Sequence, residues 1–149
     1  MNNMTDREIT VGRNVVGWRY GVIEVRDGRE YNIRRRWIPK IPNLCQAWID
    51  RKWRRLPNTD LRIYYNLPLS SPGFLVLAYA LSGRNGTLAT LRMGLRVLDE
   101  VGKLHRVQAI VCHATEPKLT EKVMEYFGYV RHAPQLKGHH YIKRLIDRE

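Results

Sequence analysis

The six residues Ser82-Gly83-Arg84-Asn85-Gly86-Thr87 hold the clearest chemistry in the sequence. Two glycines bracket a turn that opens into a helical pattern, and the first turn of a helix leaves backbone N–H groups without intrahelical acceptors. Those amides point at one place, the helix end carries positive potential, and Arg84 adds a full charge, so a diphosphate is a fitting guest. Leu81 closes the apolar run in front of the turn, and Leu81 to Thr87 is the candidate phosphate-binding segment. A second candidate is His113, near the carboxyl end of a later apolar segment, where an imidazole that titrates near neutrality can accept a proton.

Cys112-His113 and His139-His140 are adjacent pairs, and neighbours on a strand face opposite sides of a sheet, so each pair offers only one side chain to a given site. Zinc sites use ligand pairs at short fixed spacings, and a thiol nucleophile needs its base within reach. Neither condition is met, so no metal is expected and Cys112 is expected in the core.

Cationic clusters make the third feature. Arg34-Arg35-Arg36 runs into Trp37, and Arg51, Lys52, Arg54 and Arg55 interleave with Trp48 and Trp53. Guanidinium groups grip phosphates and aromatic rings stack on bases, so Arg34, Arg35, Arg36, Arg51, Arg54 and Arg55 are the candidates for holding an acidic partner. Trp48 also fits an apolar helical stripe, which makes it a core candidate more than a base platform.

The elements that must position these residues follow from periodicity. Trp18 to Trp37 is rich in β-formers on both sides of Asp27-Gly28, a two-residue turn that favours positive φ, and predicts a hairpin. Asn43 is placed to cap a helix over Leu44 to Leu56, and Pro57 stops it. Leu61 to Asn66 predicts a strand, and the apolar run Gly73 to Leu81 predicts a central strand covered on both faces. Leu88 to Leu104 predicts a long helix with Leu88, Leu91, Leu95, Leu98, Val101 and Leu104 on one stripe. Val107 to Thr115 predicts a second buried strand, and Lys118 to Phe127 a helix with Pro117 in its first turn and Gly128 at its end. Tyr129 to His132 and His139 to Leu145 predict closing strands. A βαβ crossover with an appended αβ unit results, so the class is α/β or α+β: a mixed β-sheet flanked by helices, with an N-terminal β-hairpin. Crossover units place ligands at the carboxyl ends of their strands, which is where Ser82 to Thr87 and His113 lie.

Composition bounds the partners. A chain of 149 residues with 44% hydrophobic and 27% charged residues predicts one folded domain over 1–149 rather than a disordered tail. The net charge of +12 attracts polyanions, and more than half of the excess falls in residues 1–56. The longest apolar run, Phe74 to Leu81, is far short of the ~20 residues that a membrane-spanning helix needs. The polar start Met-Asn-Asn-Met-Thr-Asp lacks the apolar core of a secretory signal, so the two cysteines are expected to be reduced and the location cytoplasmic.

Leu75-Val-Leu-Ala-Tyr-Ala-Leu81 followed by Ser82 to Thr87, and Val123-Met-Glu-Tyr-Phe-Gly-Tyr129 later, resemble the GNAT acyltransferase superfamily over roughly Gly73 to Leu145. That resemblance implies a GNAT-like fold that binds acetyl-CoA or a related acyl-CoA, with its pyrophosphate on Leu81, Ser82, Gly83, Arg84, Asn85, Gly86 and Thr87. It implies transfer of an acetyl group to an amine, with strand amides polarising the thioester carbonyl. The family's loop pattern of Arg or Gln, two residues, Gly, one residue, Gly or Ala meets Arg84, Thr87 and Ala89 here, with the glycine at Gly86. Where many members carry a tyrosine four residues before the Gly-aromatic pair, this chain has Met124. Tyr126 lies two residues further on and, at about 100° per residue, projects elsewhere. His113 and Tyr126 are the catalytic candidates. The alternative is a catalytically degenerate GNAT-like basic module that binds nucleic acid, a ribonucleoprotein or an acidic protein.

Overall fold

Strand-forming residues on both sides of Asp27-Gly28 do build a hairpin. In the computed structural model, which describes residues 12, 15, 17–26, 30–36, 60–82, 87–114, 120–132 and 139–145, β1 (Tyr20–Arg26) and β2 (Glu30–Arg36) pair antiparallel from Tyr20↔Arg36 to Arg26↔Glu30. The Asp27-Gly28 turn, the Leu44 to Leu56 segment and Pro117 lie outside the described residues, as do the side chains of Tyr79, Leu81, Ser82, His113, Ala114 and His139. β3 (Leu61–Asn66) pairs antiparallel with β1, and β4 (Phe74–Ser82) antiparallel with β3. Helix α1 (Leu88–Leu104) then crosses over to β5 (Ala109–Ala114), which runs parallel to β4. Helix α2 (Glu121–Tyr126), β6 (Val130–Arg131) and β7 (His139–Arg144) complete the order. The class is mixed α+β: the described residues form one sheet of seven strands in the order β2-β1-β3-β4-β5-β7-β6, in which β4 and β5 run parallel. Among the described residues, no helix is long and apolar enough to cross a membrane.

α1 spans the predicted residues because Thr87 caps it. The Thr90 amide donates to the Thr87 hydroxyl at 3.3 Å, and the Thr87 amide donates back to the Thr90 hydroxyl at 3.4 Å, a reciprocal capping box. Leu95, Leu98 and Val101 are buried as the stripe predicts, but Leu88 is 57% exposed and Gly94, Val97 and Gly102 are buried with the core residues. The glycines explain the rotation of the buried face. A Cβ on Gly94 would stand 2.5 Å from Leu61 Cδ2 and 2.8 Å from Ile63 Cδ1, and one on Gly102 would stand 2.6 Å from Leu145 Cδ1. The helix therefore lies against the sheet through its smallest residues, which periodicity of large apolar groups does not register.

α2 starts three residues later than the pattern predicts, because Thr120 is its N-cap and accepts from the Val123 amide at 3.4 Å. It ends as predicted at Gly128, whose φ of +87° lies in the left-handed region. The Gly128 amide donates to Glu125 and the Tyr129 amide to Met124, the double closure of a Schellman motif. Met124 and Tyr129 join the core formed by Ile23, Ile63, Tyr65, Leu75, Leu98 and Ile110. That core, with the two described helices, covers one face of the sheet.

Candidate functional site

The parallel ladder between β4 and β5 runs from Phe74↔Ala109 to Leu77↔Cys112. β4 continues to Ser82 and β5 to Ala114, yet among the described residues the two strands share no pair beyond Leu77↔Cys112. A bulge marks the point of separation: Tyr64 pairs with Tyr79 and Tyr65 with Leu77, so Ala78 is the extra residue. The far edges stay paired, β4 with β3 through Leu61↔Ser82 and β5 with β7 through Ala114↔His139. The result is a wedge between two strands, lined by backbone N–H and C=O groups that have no cross-strand partner in the β4–β5 ladder among the described residues.

The mouth of the wedge leads to α1. Gly83, Arg84, Asn85 and Gly86 lie outside the described residues, while Thr87, exposed, sits at the helix start. The capping box occupies the amides of Thr87 and Thr90, which leaves those of Leu88 and Ala89 without intrahelical acceptors. No acidic residue stands in the first turn, so the positive end of the helix is not neutralised there. Leu81 and Ser82 form the last backbone pairs of β4, opposite Arg62 and Leu61.

His113 is the first β5 residue past the last parallel pair and pairs through its backbone with His140. Its neighbour Cys112 is buried, and burial pushes the thiol up to about 12, which keeps it protonated and unreactive near neutrality. Tyr126 is 65% exposed and packs edge-to-face on Phe127 with ring centroids 5.1 Å apart. Met124 is 1% exposed, so the two positions face opposite sides of α2. The structure thus brings His113 to the vertex of the wedge by its backbone, and Tyr126 to a solvent-facing surface.

Strand alternation divides the arginine run. Arg34 and Arg36 share a sheet face with Glu24, through the pairs Val22↔Arg34, Tyr20↔Arg36 and Glu24↔Asn32, whereas Arg35 belongs to the other face. Glu24 is buried and ion-paired to Arg34, with Arg62 Nε at 3.2 Å from the same carboxylate. Arg36 lies over the Tyr64 ring at 4.8 Å. Arg51, Arg54 and Arg55 lie outside the described residues. Sequence reasoning missed Glu24 as the partner of this run, although its place in an alternating strand opposite basic residues was a readable signal.

A second polar group that sequence reasoning missed lies between α1 and β7. Lys143 Nζ donates to Asp99 Oδ2 at 2.5 Å and stands 5.7 Å from the centre of the Tyr129 ring. Burial holds the Asp99 carboxyl above the usual aspartate range, with Lys143 pulling the other way. Burial, and then the nearby Asp99 charge, raises the Tyr129 phenol well above its ordinary value. No sequence spacing links residues 99, 129 and 143, so only the packing of α1 on β7 could reveal the cluster.

Among the described residues, no group of three or more His, Cys, Asp or Glu could hold a metal ion. Comparison with protein-family models, with curated proteins and with solved structures found no match to this chain.

Proposed function

We propose that this protein is an acyl-CoA-dependent N-acyltransferase of GNAT-like fold, which transfers an acetyl group from acetyl-CoA to an amine. The observation that carries the reading is the wedge that opens beyond Leu77↔Cys112. The pantetheine arm of coenzyme A is a chain of amides, and a chain of amides placed between two separated strands can satisfy their open backbone edges as an added strand would. In this reading the pyrophosphate lies at Leu81 to Thr87, where the amides of Leu88 and Ala89, which have no intrahelical acceptor, and the charge of Arg84 would meet it.

Acetyl-CoA supplies an acyl group activated as a thioester. Open strand amides at the vertex polarise the thioester carbonyl, and the neutral amine of the acceptor attacks its carbon. The carbon–nitrogen bond forms, the carbon–sulfur bond breaks, and the proton lost by the amine ends on the departing thiolate. His113, at the vertex, is the group proposed to accept and pass on that proton. Met124 is buried and has no proton to give, so the position does not serve as the acid.

The buried Met124 also favours the second reading, a degenerate GNAT-like module that uses its +12 charge to hold nucleic acid or an acidic protein. A thermal-shift titration separates the two. A ligand that binds only the folded state raises Tm, so acetyl-CoA is expected to do so and adenosine diphosphate to do so less. Gly86→Trp is expected to abolish the shift while leaving the unliganded Tm in place. No acetyl-CoA shift, together with a salt-sensitive affinity for RNA, selects the binding module.

A further inference from the structure

Both described helices cover the same face of the sheet, and the opposite face carries a groove of about 650 Å³ over the amino ends of β4 and β5. Its floor is built by register. Phe74 pairs with Ala109 and Ala109 with Arg144, which puts the smallest side chain of the row between an aromatic ring and a guanidinium group. The next row on that face is Val76, Val111 and Ile142, again in register across the same three strands. Ala109 is buried and Phe74, Val76 and Val111 are half-buried, so a trough runs across the strands with apolar walls. His132 and Gln108 stand at its rim, and Arg144 is exposed.

We infer that this groove is a binding site for a hydrophobic monocarboxylate. Arg144 has no acidic partner among the described residues, and its planar fork matches a carboxylate in two hydrogen bonds. His132 also lines the groove, and among the described residues no carboxylate does. The ligand must be amphipathic, because the charge lies at one end of the trough and Phe74, Val76 and Val111 line the rest. Two interstrand spacings separate Phe74 from Arg144, about 10 Å, which suits a short or medium hydrocarbon chain. The site lies toward the amino ends of β4 and β5, whereas the wedge opens at their carboxyl ends, so the two are distinct.

The test is calorimetric titration of the full chain with sodium octanoate, backed by amide NMR. Saturable binding is expected, with shifts at Ala109, Val111 and Ile142. Octylamine, whose charge has the opposite sign, and acetate, which lacks the chain, are expected not to saturate. Arg144→Gln is expected to weaken octanoate about tenfold or more with Tm unchanged, as loss of a charge-assisted pair would. Ala109→Leu, which fills the trough, is expected to abolish binding. Octanoate that does not saturate at millimolar concentration overturns the proposal. So does equal binding of octylamine, an Arg144→Gln variant that binds as the parent does, or a ligand-independent dimer whose interface shifts the same resonances.

Discussion

Leu77 and Cys112 are the last residues that β4 and β5 hold in common: up to this pair the strands run as a parallel ladder, and beyond it Ala78 bulges out of β4 and His113 loses its neighbour across the gap. Both strands remain fixed on their outer edges by β3 and β7, so the opening is set by the ladder and not by fraying. Its backbone groups are therefore available to a guest at little cost in ordering.

If a pantetheine chain fills that gap, amide hydrogen exchange records it. The amides of 78–82 and 113–114 that point into the gap are expected to gain protection when acetyl-CoA is added, because they acquire partners that β3 and β7 do not give them. Residues 22–25, paired on both sides by β2 and β3, are expected to show no change. Protection confined to other segments would sink the proposed site.

The thiol of Cys112 is buried and pushed up to about 12, so only a trace of thiolate exists at neutral pH. In a Cys45→Ser variant, which leaves Cys112 as the one thiol, reaction with a disulfide reagent is expected to be slow in the folded protein and fast in denaturant. Rapid labelling of the folded form at pH 7 would contradict the burial described.

Asp99 contributes a pH dependence whose sign follows from its raised carboxyl. The folded state takes up the proton more readily than the unfolded chain, so the stabilising effect of protonation is complete below the ordinary aspartate value and is lost as pH rises through the folded one. Asp99→Asn mimics the protonated group and keeps an acceptor for Lys143. The variant is expected to be more stable than the parent at neutral pH, with the difference closing as pH falls through the aspartate range. Urea titrations at several pH values measure it.

Glu24 holds two arginines of unequal burial: the Arg62 side chain is 17% exposed and that of Arg34 is 55% exposed. An exposed partner is worth about 1 kcal/mol or less, whereas breaking a buried pair costs about 3 kcal/mol or more. Arg62→Met is therefore expected to lower stability clearly more than Arg34→Met, and Glu24→Ala to be the most damaging of the three. Equal effects for the two arginine variants would show that the carboxylate is not the anchor.

Gly94 tests the packing of α1. Alanine there improves helix propensity by about 1 kcal/mol, but its methyl would meet Leu61 and Ile63 closer than carbon atoms can approach. Overpacking costs about 1–3 kcal/mol, so Gly94→Ala is expected to lower Tm despite the better helix former. A raised Tm would mean that the helix stands further from β3.

Local patterns reached most of the elements. The hairpin around Asp27-Gly28, the strand Leu61–Asn66 and the helix Leu88–Leu104 are written in propensity, capping and period, all of which depend on residues within a few positions of one another. The start of α2 was displaced because Thr120 outcompeted Pro117 as a boundary signal, a choice between two local cues that favour the same region. The spacing puts Leu88 on the buried stripe, yet α1 meets the sheet through Gly94 and Gly102, and that contact turns Leu88 to the solvent.

The candidate site divides along the same line. The amino-acid sequence by itself determined that Ser82 to Thr87 links an apolar strand to a helix and that the chain carries a large positive charge, since these are properties of neighbouring residues and of composition. The tertiary structure alone decided that β4 and β5 part after Leu77↔Cys112, that Arg34 is answered by Glu24, that Asp99 meets Lys143, and that Ala109 lies between Phe74 and Arg144. Each of these joins residues far apart in the chain, and which of them meet depends on strand register and helix rotation, which the packing of the whole sheet sets.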